Sequence, residues 1–340
     1  MDGYVGRAGK VADGAFAGMF QAPAEVRDDL IDRALDEDVA ALVVEVLRVC
    51  ATGAPAEVVV ALEALDRAPA EDGDLAPEVA RVLTGLCRPD QDTGVLAAAL
   101  PLYGVYGEGE SVARALLDMT GHPAPAVRAA AVSGIEYFAD EGSFPGATME
   151  LVERVARLLA EDHDAGVRLA AVEAFGLFFT WHGYERAWSS HLVEVLSRTL
   201  NVEPDQRVRG EAAETLAELV VEDGDWGLLG DALRPHVEDR NVKVAAYALA
   251  RVATLGDERA LERLWALLAA PGVHREYLSA ATELAVSYRH SPAKIRRKLR
   301  KELKRLRKSG WAELPADEPN WSAKARAEYL DILIGRLSPW

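Results

Sequence analysis

The stretch Asp162-His163-Asp164-Ala165-Gly166-Val167-Arg168-Leu169-Ala170-Ala171 decides the fold, because the chain carries its design four times. The other copies are His122-Pro-Ala-Pro-Ala-Val127-Arg128-Ala-Ala-Ala131, Glu203-Pro-Asp-Gln-Arg-Val208-Arg209-Gly-Glu-Ala212 and Asp239-Arg-Asn-Val-Lys-Val244-Ala-Ala-Tyr-Ala248. Their valines fall 40, 41 and 36 residues apart, and a fainter fifth copy runs through Tyr277, Ala281 and Leu284. A fixed period of this length marks a stack of similar helical units. In each copy an acidic or polar residue five before the valine belongs in a turn near a helix N-terminus, whose unpaired N–H groups favour it. The valine opens the buried side of the helix, and an alanine four residues on lets a neighbouring helix approach closely. Ile135, Phe175, Leu216 and Val252, eight residues after the valines, return to the same stripe. One helix pair cannot bury such stripes on both sides, whereas stacked pairs can.

Outside the four copies, apolar residues recur at helical spacing between short Gly, Pro and Asp breaks. Leu151, Val152, Val155, Leu158 and Leu159 form one such series, and Leu261, Leu264, Trp265, Leu267 and Leu268 another. The pattern predicts an all-α protein of roughly 14 helices. The Asp/Glu-x-x-x-x-Val-Arg-x-x-x-Ala turn and helix, preceded by a Leu-x-x-Leu-Leu helix, resembles the HEAT repeat family. The resemblance is strong over 108–288. It is weaker over 23–106, where Pro23-Ala-Glu-Val26-Arg27, Pro55-Ala-Glu-Val58 and Pro77-Glu-Val79 look like decayed repeat starts. It implies a right-handed α-solenoid of about seven stacked antiparallel helix pairs in one continuous stack, with the Val-Arg helices in the inner, concave layer. The expected organisation is divergent repeats over 1–107, a repeat core over 108–290, and a basic amphipathic helix with a capping helix over 291–340. Ala245 replaces the arginine in the fourth copy, so an arginine ladder should stop there.

Composition narrows the function. The 340 residues include 38 Lys+Arg and 55 Asp+Glu, a net charge of −17, which disfavours whole-chain nucleic-acid binding. Cys50 and Cys87 cannot build a disulfide framework, no apolar run approaches a membrane span, and Met1-Asp2-Gly3-Tyr4 lacks the order of a signal peptide. A cytoplasmic protein is the expectation. Thirty arginines against eight lysines, with abundant alanine, suit a GC-rich bacterial genome.

No catalytic signature is present: no His-Glu-x-x-His, Gly-x-Ser-x-Gly, phosphate-cradling glycine loop or Cys-x-x-Cys occurs. His163 between two aspartates reads as a solvated turn. His182 with Glu185 and His191 with Glu194 give only two-residue fragments, where zinc needs three or four converging ligands. The chain is therefore expected to be no enzyme and to need no cofactor or metal. The family resemblance adds an alternative, a DNA glycosylase or bilin lyase-type protein, but no residue here matches either chemistry.

Surface charge carries the functional reading. The sixth position after each valine lies opposite the core stripe and holds Ser133, Glu173, Glu214, Ala250 and Glu283; the ninth holds Glu136, Gly176, Ala217 and Ala253. An inner surface of small residues with interspersed carboxylates attracts positive charge, so a basic protein partner is expected at Glu136, Glu173, Glu214 and Glu283. The aromatic segment Phe178–Trp188 offers Trp181, Tyr184 and Arg186 as contact residues, and Gly142–Gly146 is a weaker loop candidate. Pro292–Lys308 runs against the rest, with ten basic residues, Glu302 as its one acid, and Ile295, Leu299, Leu303 and Leu306 on one stripe. Lys298, Arg300, Lys301 and Arg305 there either balance the acidic body, meet an anionic partner, or meet another copy of the chain. Beyond it, Ser322 is expected to cap a last helix, with Trp311, Trp321 and Trp340 closing the end.

Overall fold

The computed structural model describes residues 19–68, 75–140, 145–182, 186–219, 226–287, 293–314 and 321–337. These hold seventeen α-helices and three short 3-10 turns, with no strand among the described residues. In order they are α1 (Ala24–Glu37), α2 (Val39–Thr52), α3 (Pro55–Asp66), α4 (Ala76–Leu86), α5 (Thr93–Tyr106), α6 (Glu110–Met119), α7 (Pro125–Asp140), α8 (Pro145–Glu161) and α9 (Ala165–His182). Then come α10 (Arg186–Val202), α11 (Gln206–Glu218), α12 (Trp226–Leu233), α13 (Val242–Thr254), α14 (Glu258–Ala269), α15 (Arg275–Ser287), α16 (Ala293–Lys308) and α17 (Ala323–Arg336). The count exceeds the roughly 14 that periodicity suggests, because short helices such as α12 carry too few apolar positions to register. By packing, the chain divides into two compact units, Met1–Phe178 and Phe179–Trp340.

In Met1–Phe178, helices α3, α5 and α7 pack on one another in succession and form one layer. Helices α2, α4, α6 and α8 form the second layer, each packed against a member of the first. The closest approach is between α5 and α7. A Cβ added to Gly104 would lie 2.0 Å from the Gly134 carbonyl oxygen, so the two helices meet backbone to backbone. Phe179–Trp340 repeats the arrangement with α11, α13 and α15 in succession and α10, α12 and α14 against them.

The repeat signature does what its spacing requires. Val127, Val167, Val208 and Val244 are fully buried, as are Ala131, Ala171, Ala212 and Ala248 four positions on. Ile135, Phe175, Leu216 and Val252 complete the stripe at no more than 1% exposure. Three of the four turns are built from two side chains rather than one, the first having Ala124 at the second position. The residue five before the valine holds the turn: Asp162, Glu203 and Asp239 accept the N–H two residues on at 2.9, 2.9 and 2.8 Å, and His122 Nδ1 does so at 3.1 Å. The helix cap itself sits two residues later, where Asp164, Asp205 and Asn241 accept the N–H of Val167, Val208 and Val244.

The arginine of one copy reaches the turn of the next. Arg128 grips Asp162 through two bonds of 2.7 and 2.8 Å, and Arg209 binds Asp239 at 2.5 Å. Position 245 is an alanine, 3% exposed, and the series of pairs has no member there.

In Phe179–Trp340, α11 and α15 also touch each other directly. Helix α13 lies between them, and every residue from Val244 to Ala253 is buried. Arg251, fully buried, donates from Nη2 to the Leu219 carbonyl at the end of α11 at 2.7 Å. The C-terminal end closes as expected in part: Ser322 Oγ accepts the Ala325 N–H, and Trp311 donates to the Val273 carbonyl at 2.9 Å. Trp321 meets the edges of Trp311 and Tyr329, while Trp340 lies outside the described residues. Helix α17 buries Leu330 and Leu333, and Leu337 just after it is buried too, while Ile332 is 61% exposed. No described helix is long and apolar enough to cross a membrane.

Candidate interaction surfaces

Four helices of Met1–Phe178 bring acidic and phenolic groups into mutual range. Asp66 ends α3, Tyr106 ends α5, Glu136 and Tyr137 lie on α7, and Glu173 lies on α9. Burial raises the Glu136 carboxyl to about 7, and the Glu173 charge adds to the shift. Tyr137 is raised by burial and by the charges of Glu136 and Asp66, and Tyr106 by burial and Asp66. Each of these shifts comes from burial and from neighbouring carboxylates, both of which disfavour the charged form. Glu173 is exposed and Tyr137 is 44% exposed, so part of the group faces solvent. Asp66, Tyr106 and Tyr137 escaped the sequence reading. The valine register marks positions within one helix, whereas these residues are collected across helix ends.

The remaining carboxylates of the expected series are placed differently. Glu214 accepts the Tyr247 hydroxyl and lies 2.5 Å from Lys243 Nζ, which also meets Glu211 at 2.5 Å. Burial disfavours the Lys243 charge, yet its hydrogen bonds to Glu211 and Glu214 outweigh this and hold the ammonium above its usual value. Glu214 thus belongs to an internal network between α11 and α13. Ala250 and Ala253, expected on the inner surface, are 1% and 3% exposed, and Ala217 is fully buried. The correction has a packing cause: α11 and α15 close over α13, so positions that face outward on an isolated helix are covered. The side chains of Glu283, Trp181 and Arg186, and all of Tyr184, lie outside the described residues, as do residues 142–144 of the weaker loop candidate.

Helix α16 packs by its apolar stripe, with Leu299, Leu303 and Leu306 at most 1% exposed. Its cations divide into two groups. Lys298 sits over the Trp265 ring at 4.1 Å, Arg305 binds Glu302 at 2.8 Å and the Ala269 carbonyl at 2.8 Å, and Arg307 binds Asp331 at 3.1 Å. Arg305 thereby satisfies a carbonyl at the C-terminus of α14, where a cation is favoured. Arg300 is half-buried. Lys301, Lys304 and Lys308 are exposed and line one shallow recess with Arg305 and Ser309.

Among the described residues no three His, Cys, Asp or Glu side chains converge as a metal site. Burial pushes the Cys87 thiol up to about 12 and the Cys50 thiol to about 11, so neither supplies thiolate at neutral pH.

Residues 113–217 match the family model of HEAT repeats. The X-ray structure of Escherichia coli YibA aligns with 93% of this chain and 97% of its own, at 18% identity and a TM-score of 0.54. A Kap121p mutant in which three acidic residues are replaced by lysine aligns with 95% of this chain at 14% identity and a TM-score of 0.56. The match takes in only 37% of the Kap121p chain. An engineered protein aligns over 94% of this chain and 93% of its own, at 18% identity and a TM-score of 0.51. No curated protein sequence matches. At these identities the structural likeness speaks for fold alone. Residues 113–217 are similar to HEAT repeats, and the chain has the all-helical solenoid fold of HEAT-like repeat proteins.

Proposed function

We propose that the protein is a non-enzymatic interaction scaffold, serving as an adaptor or inhibitor, that captures a basic protein through the carboxylates of Met1–Phe178. The carrying observation is Glu136. Its carboxyl is desolvated and lies within range of the Glu173 charge, and both effects disfavour its charged form. A lysine or arginine from a partner relieves both costs at once. Tyr106 and Tyr137 add apolar area with a polar tip, the composition favoured where a partner is held firmly. The surface of Phe179–Trp340 contributes less, since Glu214 is already bonded to Lys243 and Tyr247.

The test uses a fluorescent arginine-rich peptide and anisotropy. Binding should weaken steeply between about 0.05 M and about 0.5 M salt, because exposed charges are screened within about 8–10 Å at physiological strength. Glu136→Gln with Glu173→Gln should weaken it about tenfold, the loss of roughly one close charge pair. Unchanged affinity in the double variant, or indifference to salt, overturns the proposal.

A further inference from the structure

Helix α16 concentrates basic residues, and three of its lysines have no hydrogen bond or ion pair among the described residues. Five of the eight lysines lie between Lys294 and Lys308. Lys301, Lys304 and Lys308 are exposed, share one recess, and make no hydrogen bond or ion pair among the described residues. Their spacing is i, i+3, i+7, one ridge of a helix, rising about 10 Å end to end.

Three kinds of anionic surface could lie on such a ridge. A bilayer is disfavoured because the apolar stripe of α16 is buried, leaving nothing to enter the acyl region. A phosphate polymer is disfavoured by the rest of the chain. Without Pro292–Lys308 it holds 28 basic and 54 acidic residues, a balance of −26, which repels a polyanion. A second copy of the chain brings carboxylates instead, at fixed positions on a helix. Helix α1 carries six acidic residues and two arginines. Asp29, Asp32 and Asp36 are exposed there at i, i+3, i+7, the same spacing as the lysines. Asp29 and Asp36 make no hydrogen bond or ion pair among the described residues, while Asp32 meets Arg67. The pairs Arg305–Glu302 and Arg307–Asp331 show that cations of α16 already take carboxylates from helix faces.

We infer that the lysine ridge of α16 in one copy docks on the aspartate ridge of α1 in a second copy, in register, to give head-to-tail self-association. The two surfaces differ, so the contact is heterologous and each copy keeps one ridge of each kind for a further neighbour.

Sedimentation velocity of the full chain tests this. Wild type should sediment faster with rising concentration at about 0.05 M salt and as a monomer at about 0.5 M. The triple variant K301E/K304E/K308E should be monomeric at low salt, and so should D29K/D32K/D36K. Mixed in equal amounts, the two should associate again, because the first keeps its aspartates, the second keeps its lysines, and the two reversed ridges complement each other as well. Should either reversal disturb folding by circular dichroism, the neutral sets K301Q/K304Q/K308Q and D29N/D32N/D36N replace them with the same expected pattern. A monomeric wild type at low salt, a reversal variant that still associates, or a mixture that stays monomeric overturns the inference. So does a wild type that binds a single-stranded oligonucleotide or an anionic vesicle while remaining monomeric.

Discussion

Arg128 and Asp162 illustrate how one side-chain pair ties two repeats together. The guanidinium and carboxylate meet through two bonds, with the side chains 17% and 6% exposed. Burial works against the Asp162 charge, but the Arg128 bond and charge, the Asp164 N–H and the His163 charge together outweigh it and hold the carboxyl below its ordinary 3.8. A carboxyl lowered on folding contributes stability above its unfolded value, and that contribution fades as pH falls through the folded value. Arg128→Ala should therefore cost about 2 kcal/mol at neutral pH by urea denaturation. The gap to wild type should narrow below about pH 3.5. A gap independent of pH would show that packing, not charge, is lost. Glu136 gives the opposite sign. Raised from 4.5 to about 7, it holds a proton in the folded state over a range where the unfolded chain has released it. Stability from this group therefore falls as pH rises between those values. Glu136→Gln should stabilise by about 1 kcal/mol at pH 8, after allowance for solvent screening, and change nothing near pH 4. If the substitution destabilises at pH 8, the carboxylate has a cationic partner.

Among the elements, α5 and α7 approach so closely that only glycine fits at their crossing. Gly104→Ala would place a methyl group against the Gly134 backbone, which cannot yield as a flexible side chain would. The expected loss is about 3 kcal/mol. Gly85→Ala is the contrast, since nothing lies within 4 Å of its added Cβ; it should be neutral or stabilise by up to about 1 kcal/mol. Equal effects in thermal melts would refute the reading of the crossing. Much at this scale was legible beforehand. The valine, alanine and stripe positions are set by helical period, so Val127, Ala131 and Ile135 and their counterparts could be assigned from spacing alone. Burial of Ala250 could not, because it depends on α11 meeting α15 across α13, a contact between segments more than fifty residues apart in the chain. The capping residue itself is not set by spacing either. Spacing marks that a polar residue belongs in the turn, but both Asp162 and Asp164 are polar, and only geometry separates the one that holds Arg128 from the one that caps α9.

For the whole molecule, the division at Phe178 has no trace in the repeat period, since Val167 and Val208 keep the spacing of the other copies. Charge is legible at once, and its consequence is global. A net −17 repels itself in any compact state, and the ten cations of Pro292–Lys308 reduce that repulsion wherever their individual partners lie. Sign should then matter more than position. In dilute solution at about 0.02 M salt, K301Q/K304Q/K308Q should lower the thermal midpoint by about 2 °C, whereas D29N/D36N should raise it by a similar amount. Both differences should vanish near 0.5 M salt, where the screening length falls to about 4 Å. Shifts in one direction for both variants, or shifts that survive high salt, would assign these residues local contacts in place of a part in the overall field. The distinction bears on self-association as well: a field that merely balances the body acts within one copy, whereas a ridge that docks makes the midpoint depend on protein concentration.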